Sequence, residues 1–259
     1  MIDDERFVQH VADRLAGLPG VRAVALGGSR GSATHRPDSD WDVALYYRGG
    51  FDAGNLRGLG WPGEVVDPGA WGPLFDGGAW LQIDERPVDV HYRDLDVVEH
   101  QLAEARAGRF DWQPLTFHLA GMPGYMLLAE LATGRVLRGE LDVPEYPDAL
   151  REQAPGRWWR FAALTLDYTR GNHARFGRVA ETAGALAQAS CQAAHAVCAA
   201  RGTWVTNEKR LLESAGLRGV DEVLAEPGTG PDGLVAAVDR VRERCAAAVR
   251  AAGGVPDAR

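Results

Sequence analysis

Lysine is almost missing from this chain: Lys209 is the only one, and basic residues are outnumbered, 28 against 36 acidic, for a net charge of −8. A surface that tracks a phosphate backbone needs clustered Lys and Arg, so a polymeric nucleic acid partner is not expected. A small anion such as a nucleotide needs only a local site and stays open. Long apolar runs are absent too; nothing approaches the roughly 18 residues of a membrane span. The N-terminus, MIDDERFVQH, is acidic and amphipathic, unlike the positive-then-apolar pattern of a secretory leader. Cysteine is sparse: Cys191, Cys198 and Cys245 form no C-x-x-C pair, their odd number sits poorly with a disulfide framework, and no His/Cys set has zinc spacing. A reduced, cytoplasmic protein with no membrane partner is the expectation.

What is present is ordinary for a soluble globular chain. At 259 residues, 46% apolar and 25% charged, it has length for one large domain or two modest ones. Phe7, Val8, Val11, Leu15 and Leu18 recur at helical spacing, which predicts a helix over 3–18, broken by Pro19-Gly20. Val21 to Leu26 predicts a strand ending in Gly27-Gly28-Ser29. A polar loop runs to Ser39, and Asp40 to Tyr47 predicts a second strand. Residues 48–78 are rich in Gly and Pro and read as irregular. Ala79 to Asp84 and Val88 to Arg93 predict a hairpin, followed by a helix over 95–107. From Tyr125 onward the patterns are helical, over 125–133, 157–170, 178–200 and 233–251, and Gly253 to Arg259 reads as a frayed tail. The predicted fold is α/β: a small mixed-sheet domain over residues 1–110, then an all-helical domain over 111–259.

The chemistry concentrates in LGGSRGSATHRPDSDWDVALYY, residues 26–47. Gly27 and Gly28 let the backbone turn tightly and approach a ligand. The amides of that turn and the Ser29 hydroxyl are donors for phosphate oxygens. Asp40 and Asp42, two apart on a predicted strand, project from one face. Carboxylates so placed repel unless a cation sits between them, and Mg²⁺ takes such oxygen ligands together with substrate phosphates. A third carboxylate is offered by Asp89 in Pro87-Val88-Asp89-Val90-His91-Tyr92. Three carboxylates hold one or two metal ions and align an incoming hydroxyl with an α-phosphorus. Asp89 is the candidate to help deprotonate that hydroxyl.

Apolar-Gly-Gly-Ser, then Asp-x-Asp, then apolar-Asp-apolar resembles the DNA polymerase β-like nucleotidyltransferase superfamily, and within it the small bacterial aminoglycoside and lincosamide nucleotidyltransferase branch. Gly28 and Ser29 match the family's Gly-Ser, Asp40 and Asp42 its metal pair, and Asp89 its third carboxylate. The match covers about residues 21–93. The resemblance implies an Mg²⁺-dependent transfer of a nucleoside monophosphate, AMP from ATP or its counterpart from another NTP, to a hydroxyl of a small molecule, with antibiotics among the candidates. It also implies a helical domain that closes over nucleotide and acceptor, and it allows a homodimer. Within that domain the segment Arg201 to Arg210 looks like a feature of this branch, and Lys209 is assigned to the triphosphate. Glu181 is a candidate general base.

Plainer roles stand beside these. Arg30 is equally a phosphate contact or a solvent-facing residue, and Lys209 divides between the triphosphate and the surface. His91 shares the strand face of Asp89 and reads as a hydrogen-bonded structural histidine. Arg157, Arg160, Arg170, Arg175 and Arg178, with His173, read as a solvated helix face. Trp158-Trp159 reads as a core anchor and Cys191 and Cys198 as buried packing. Two functions of other classes compete with small-molecule transfer. One is a regulator that adenylylates a protein partner, as antitoxin-type members do, although those are usually shorter. The other is a non-catalytic nucleotide-binding module, which the presence of all three carboxylates disfavours.

Overall fold

The computed structural model describes residues 3–37 and 39–254. It is α/β, with a mixed sheet followed by a helical region. Two compact units emerge: residues 1–103 with 127–145, and residues 104–126 with 146–259. Part of the predicted tail, 255–259, and Asp38 of the predicted loop lie outside the described residues.

The first unit opens with α1 (Asp4–Ala16). Asp3 caps it by accepting from the Arg6 amide at 2.8 Å, and Asp4 and Glu5 complement the positive end of the helix dipole. Its buried stripe, Phe7, Val8, Val11, Ala12 and Leu15, is the predicted one. Strand β1 (Val21–Leu26) forms as predicted. The one-turn helix α2 (Gly28–Gly31) follows it directly. Strand β2 (Trp41–Tyr47) starts one residue later than predicted, leaving Asp40 just outside it.

The Gly/Pro-rich stretch that reads as irregular holds three short elements: α3 (Ala53–Arg57), β3 (Gly63–Val65) and α4 (Gly72–Phe75). Segments of three to five residues carry too little periodicity to register. Strands β4 (Gly78–Ile83) and β5 (Arg86–Asp94) make the predicted hairpin, and α5 (Leu95–Arg106) the predicted helix.

Two further strands, β6 (Trp112–Leu115) and β7 (His118–Pro123), then α6 (Met126–Thr133) and β8 (Arg135–Arg138), complete the elements before the long helices. The main sheet runs β3-β4-β5-β2-β1-β8. Strand β5 is parallel to β2 and the other pairings are antiparallel, so the sheet is mixed.

The boundary drawn at residue 110 differs from the observed units, because residues 127–145 return to the first. There β8 pairs with β1, Arg138 meets Asp13 at 2.6 Å, and Arg135 meets Glu5 at 3.0 Å. The sequence RVLR, charged at both ends, does not read as sheet.

One face of the sheet is the hydrophobic core. Val24, Leu26, Trp41, Val43, Leu45, Val88, Val90, Tyr92, Leu81 and Ile83 pack there with the α1 stripe. The opposite face carries Asp42, Ala44 and Tyr46 on β2 and Asp89, His91 and Arg93 on β5. Its far end is closed by a charge pair between buried Arg93, through Nε, and the partly exposed Glu130 of α6 at 2.8 Å. Its near end, at Asp42 and Asp89, is partly exposed.

The second unit is built on α7 (Asp148–Asn172), α8 (Val179–Ala200) and α11 (Pro231–Ala251), with α9 (Leu211–Ala215) and α10 (Val220–Ala225) between the last two. Helix α7 starts nine residues before the predicted 157, running through Pro155 and Gly156. Burial of Leu150, Ala154, Pro155, Trp158 and Trp159 outweighs the lost backbone bond. Helix α8 is buried without a break from Ala189 to Ala199, and its small side chains let α7 lie close against it. The expectation of an all-helical region holds except for the β6–β7 hairpin, which belongs to this unit. No helix of the described residues is long and apolar enough to cross a membrane.

Candidate active site

The exposed end of the carboxylate face is built by three neighbouring strands. Asp42 on β2 and Asp89 on β5 are direct register partners in the parallel pair, so their side chains leave the sheet side by side. Asp40 lies one residue before β2 and is exposed. Two of the three predicted carboxylates are thus fixed by the sheet and the third by the loop that leads into it. Among the described residues, no three His, Cys, Asp or Glu side chains are gathered at metal-binding spacing.

The Gly-Ser turn meets the same spot from β1. The Gly27 amide donates to the Asp42 carbonyl at 2.8 Å, extending the β1–β2 ladder by one bond. Gly28 then takes φ +56°, and a Cβ there would lie 1.8 Å from Asp42 Oδ2. Glycine is therefore required twice, for the left-handed backbone and for room beside the carboxylate. Ser29 follows in the first turn of α2, which has no side-chain cap. The leading N–H groups of a helix have no partner within it, so donors converge beside Asp42.

Arg30 is engaged with its own loop. Its Nε donates to the Ser39 carbonyl at 3.0 Å and its Nη2 to the Pro37 carbonyl at 3.4 Å. Its guanidinium lies 4.0 Å from the Trp41 ring centre and pairs with Asp4 at 3.3 Å. The side chain is only 7% exposed. Arg30 thus ties down the loop that delivers Asp40.

His91 is nearer the carboxylates than a purely structural role requires: its Nε2 is 3.7 Å from Asp42 Oδ1, and both side chains are about a third exposed. Beside it stands an aromatic pair that the sequence did not single out. Trp71 lies 6.3 Å from the His91 ring and 5.1 Å from the Trp80 ring. Trp80, on β4, is the register partner of Asp89 and is 47% exposed. The signal was available in principle, since Gly78, Trp80 and Gln82 alternate toward one face, but the register that sets Trp80 beside Asp89 is not local.

The remaining candidates belong to the second unit. Lys209 is exposed, and its amide donates to Asn207 Oδ1 at 3.0 Å. The residue that organises its segment is the neighbouring Glu208, whose carboxylate accepts from the Leu119 and Ala120 amides at 2.6 and 2.8 Å. Burial pushes the Glu208 carboxyl up, but His195 at 3.9 Å and those two amides outweigh it and hold the group below the usual range. His195 is buried and stacks on Trp158 at 4.4 Å; burial drives its pKa down against the opposing pull of Glu208.

Glu181 is exposed in the first turn of α8. Arg157 donates to the Phe110 carbonyl and lies over the Phe110 ring, and Arg170 pairs with Asp239. Trp158 and Trp159 are buried anchors, and burial pushes the Cys191 thiol up to about 12 and that of Cys198 to about 11.

No family model matches the chain, and no curated protein matches it either. Among solved structures, a nucleotidyltransferase-like protein from Exiguobacterium sibiricum 255-15 is similar to it at a TM-score of 0.44 and 10% identity, over 96% of this chain and 78% of that one.

Proposed function

We propose that this chain is a nucleotidyltransferase that moves a nucleoside monophosphate, AMP from ATP being the first candidate, onto a hydroxyl of a small molecule. The observation that carries the proposal is the direct pairing of Asp42 with Asp89, with the Gly28 α-carbon pressed against the Asp42 carboxylate. Neighbouring carboxylates at a half-exposed sheet end are costly in isolation and useful around a cation.

The donor set fits Mg²⁺. All the candidate ligands are hard carboxylate oxygens: Asp42 and Asp89 sit on paired strands and Asp40 lies one residue before β2, and the missing side chain of Gly28 leaves room for the Asp42 carboxylate beside the turn. Asp40, Asp42 and Asp89 would hold the ion or ions. When bound, Mg²⁺ supplies charge neutralisation for the phosphates and for the developing transition state.

The chain's own groups do the rest. The Gly28 and Ser29 amides and the Ser29 hydroxyl hold the departing phosphates. The acceptor oxygen forms a bond to the α-phosphorus while the bond to the bridging oxygen breaks. Pyrophosphate leaves with that electron pair, and the acceptor proton passes to the Asp89 carboxylate. Arg30 keeps the Asp40 loop in register.

The test is pyrophosphate release from each NTP with Mg²⁺, across a panel of hydroxyl-bearing antibiotics and metabolites, for wild type and Asp40→Ala/Asp42→Ala. Acceptor-dependent release that disappears in the double variant supports the assignment. Nucleotide binding without release for any small acceptor turns the assignment toward a protein acceptor.

A further inference from the structure

A closed ring of side chains lies in the first unit, at the end of the sheet where the carboxylates emerge. The Arg30 guanidinium sits 4.0 Å from the Trp41 ring centre, and Trp41 meets Phe7 edge-on at 5.1 Å. Phe7 in turn carries the Arg86 guanidinium at 4.4 Å. Asp4 completes the ring, with Oδ2 3.3 Å from Arg30 Nη1 and Oδ1 3.3 Å from Arg86 Nη1. Each arginine is thus held by a carboxylate oxygen and by an aromatic face.

The ring joins the elements that carry the carboxylates. Trp41 stands between Asp40 and Asp42, and Arg30 also binds the Ser39 carbonyl just ahead of Asp40. Arg86 opens β5, upstream of Asp89, and Val88 between them is the register partner of Trp41. Asp4 and Phe7 belong to α1, so the start of that helix spans both strand ends. Trp41 and Phe7 are buried in the core, whereas the Asp4 side chain is 62% exposed. An ion pair that open adds little to stability. What it sets is position: the distance of the Asp40 loop from the strand bearing Asp89.

Resting on the nucleotidyltransferase proposal, we infer that Asp4 is a positioning residue for the metal carboxylates and makes the site selective for Mg²⁺ over larger divalent ions. Mg²⁺ demands near-octahedral oxygens at about 2.0–2.1 Å, which a displaced carboxylate does not supply. Ca²⁺ takes oxygens at about 2.3–2.6 Å in irregular arrangements and tolerates the same displacement. Asp4 needs no contact with the ion. It acts through Arg30 on the loop before Asp40, and through Arg86 on the start of β5. The neighbouring carboxylates do not take its place: Asp3 caps α1 through the Arg6 amide, and Glu5 pairs with Arg135 at 3.0 Å.

Calorimetric titration of the full chain with a non-hydrolysable ATP analogue, once in Mg²⁺ and once in Ca²⁺, tests this. Asp4→Asn keeps the shape of the side chain and removes the charge that joins the arginines. It is expected to weaken analogue binding about tenfold in Mg²⁺ and by no more than about twofold in Ca²⁺. Asp4→Glu restores most of the Mg²⁺ affinity, because a carboxylate again joins the two arginines. Arg86→Gln opens the ring on its other side and gives the same split between the ions. Asp3→Ala removes the α1 cap; it lowers the thermal midpoint and leaves both affinities at the wild-type value. Without metal or nucleotide, limited proteolysis cuts within residues 34–40 faster in Asp4→Asn than in wild type or Asp3→Ala.

An Asp4→Asn variant that binds the analogue as wild type does in both ions overturns the inference. So does an equal loss in Mg²⁺ and Ca²⁺, which marks a structural role alone. Tighter binding in Asp4→Asn overturns it too, since Arg30 would then be a phosphate ligand that Asp4 holds back. A wild type that binds no nucleotide in either ion defeats the underlying nucleotidyltransferase assignment instead, and the inference with it.

Discussion

Gly28 and Asp42 fit together so closely that the glycine's missing side chain is part of the carboxylate's environment: a Cβ at Gly28 would stand 1.8 Å from Oδ2 and 2.6 Å from Cγ. The Gly-Ser turn and the Asp-x-Asp are separated in the chain, with Asp42 fourteen positions after Gly28. They nevertheless form one object, joined by the Gly27–Asp42 backbone bond at 2.8 Å.

Gly28→Ala is therefore expected to displace the Asp42 carboxylate. Stability should fall by only about 1–2 kcal/mol, the cost of a left-handed non-glycine residue, as read by urea denaturation. Metal-dependent nucleotide affinity should fall far more, by about 100-fold or beyond. Equal nucleotide affinity in wild type and variant would show that the contact has no part in the site.

Arg30 supplies a second prediction. Because its guanidinium binds the Ser39 and Pro37 carbonyls and lies on Trp41, Arg30→Ala should loosen residues 34–40. Limited proteolysis should cut there faster, and stability should fall by about 1–2 kcal/mol. Arg30→Lys should rescue little, since an ammonium lacks the planar fork. Unchanged stability and proteolysis with nucleotide binding abolished would reassign Arg30 to the phosphates.

The Gly-Ser turn and the carboxylates were legible because each depends on local pattern. VRAVAL is bounded by Pro-Gly and Gly-Gly, Asp42 alternates with core-facing Trp41, Val43 and Leu45, and Asp89 with core-facing Val88 and Val90. The alternation also put His91 on the right face. The place of Trp80 beside Asp89 was not legible, because it depends on the register between β4 and β5. Similarly, Pro155 hid the first third of α7, although packing of Ala154 and Trp158 carries the helix through it. The β6–β7 hairpin was hidden by Pro114 inside its first strand and by Gly121, whose φ of +77° and bare α-carbon make room for the Trp112 ring. In the second unit, Lys209 drew attention as a rare charge while its neighbour Glu208 forms the buried contacts.

A third prediction concerns that neighbour. His195 is held neutral by burial, so its folded pKa lies below the ordinary 6.5. The unfolded chain binds the proton more readily, and stability is lost as pH falls below 6.5. Glu208 acts in the same direction at lower pH: its folded pKa lies below the ordinary 4.5, so its contribution is present above that value and disappears as the carboxyl protonates. Stability measured by urea denaturation should decline between pH 7 and 5, by up to about 1.4 kcal/mol per unit from His195. His195→Gln should flatten that slope, and a profile identical to wild type would place the titration elsewhere.

The most direct measurement is calorimetric binding of a non-hydrolysable ATP analogue, with Mg²⁺ and with EDTA, to wild type and to Asp42→Asn. Asp42→Asn keeps the shape of the side chain and removes its charge. Tight binding in Mg²⁺ that is lost in EDTA, and weakened about 100-fold or more in Asp42→Asn, is the predicted result. Binding by neither ATP nor any other NTP analogue in Mg²⁺, or binding indifferent to both EDTA and Asp42→Asn, would contradict a metal-dependent nucleotidyltransferase site at the end of β2 and β5.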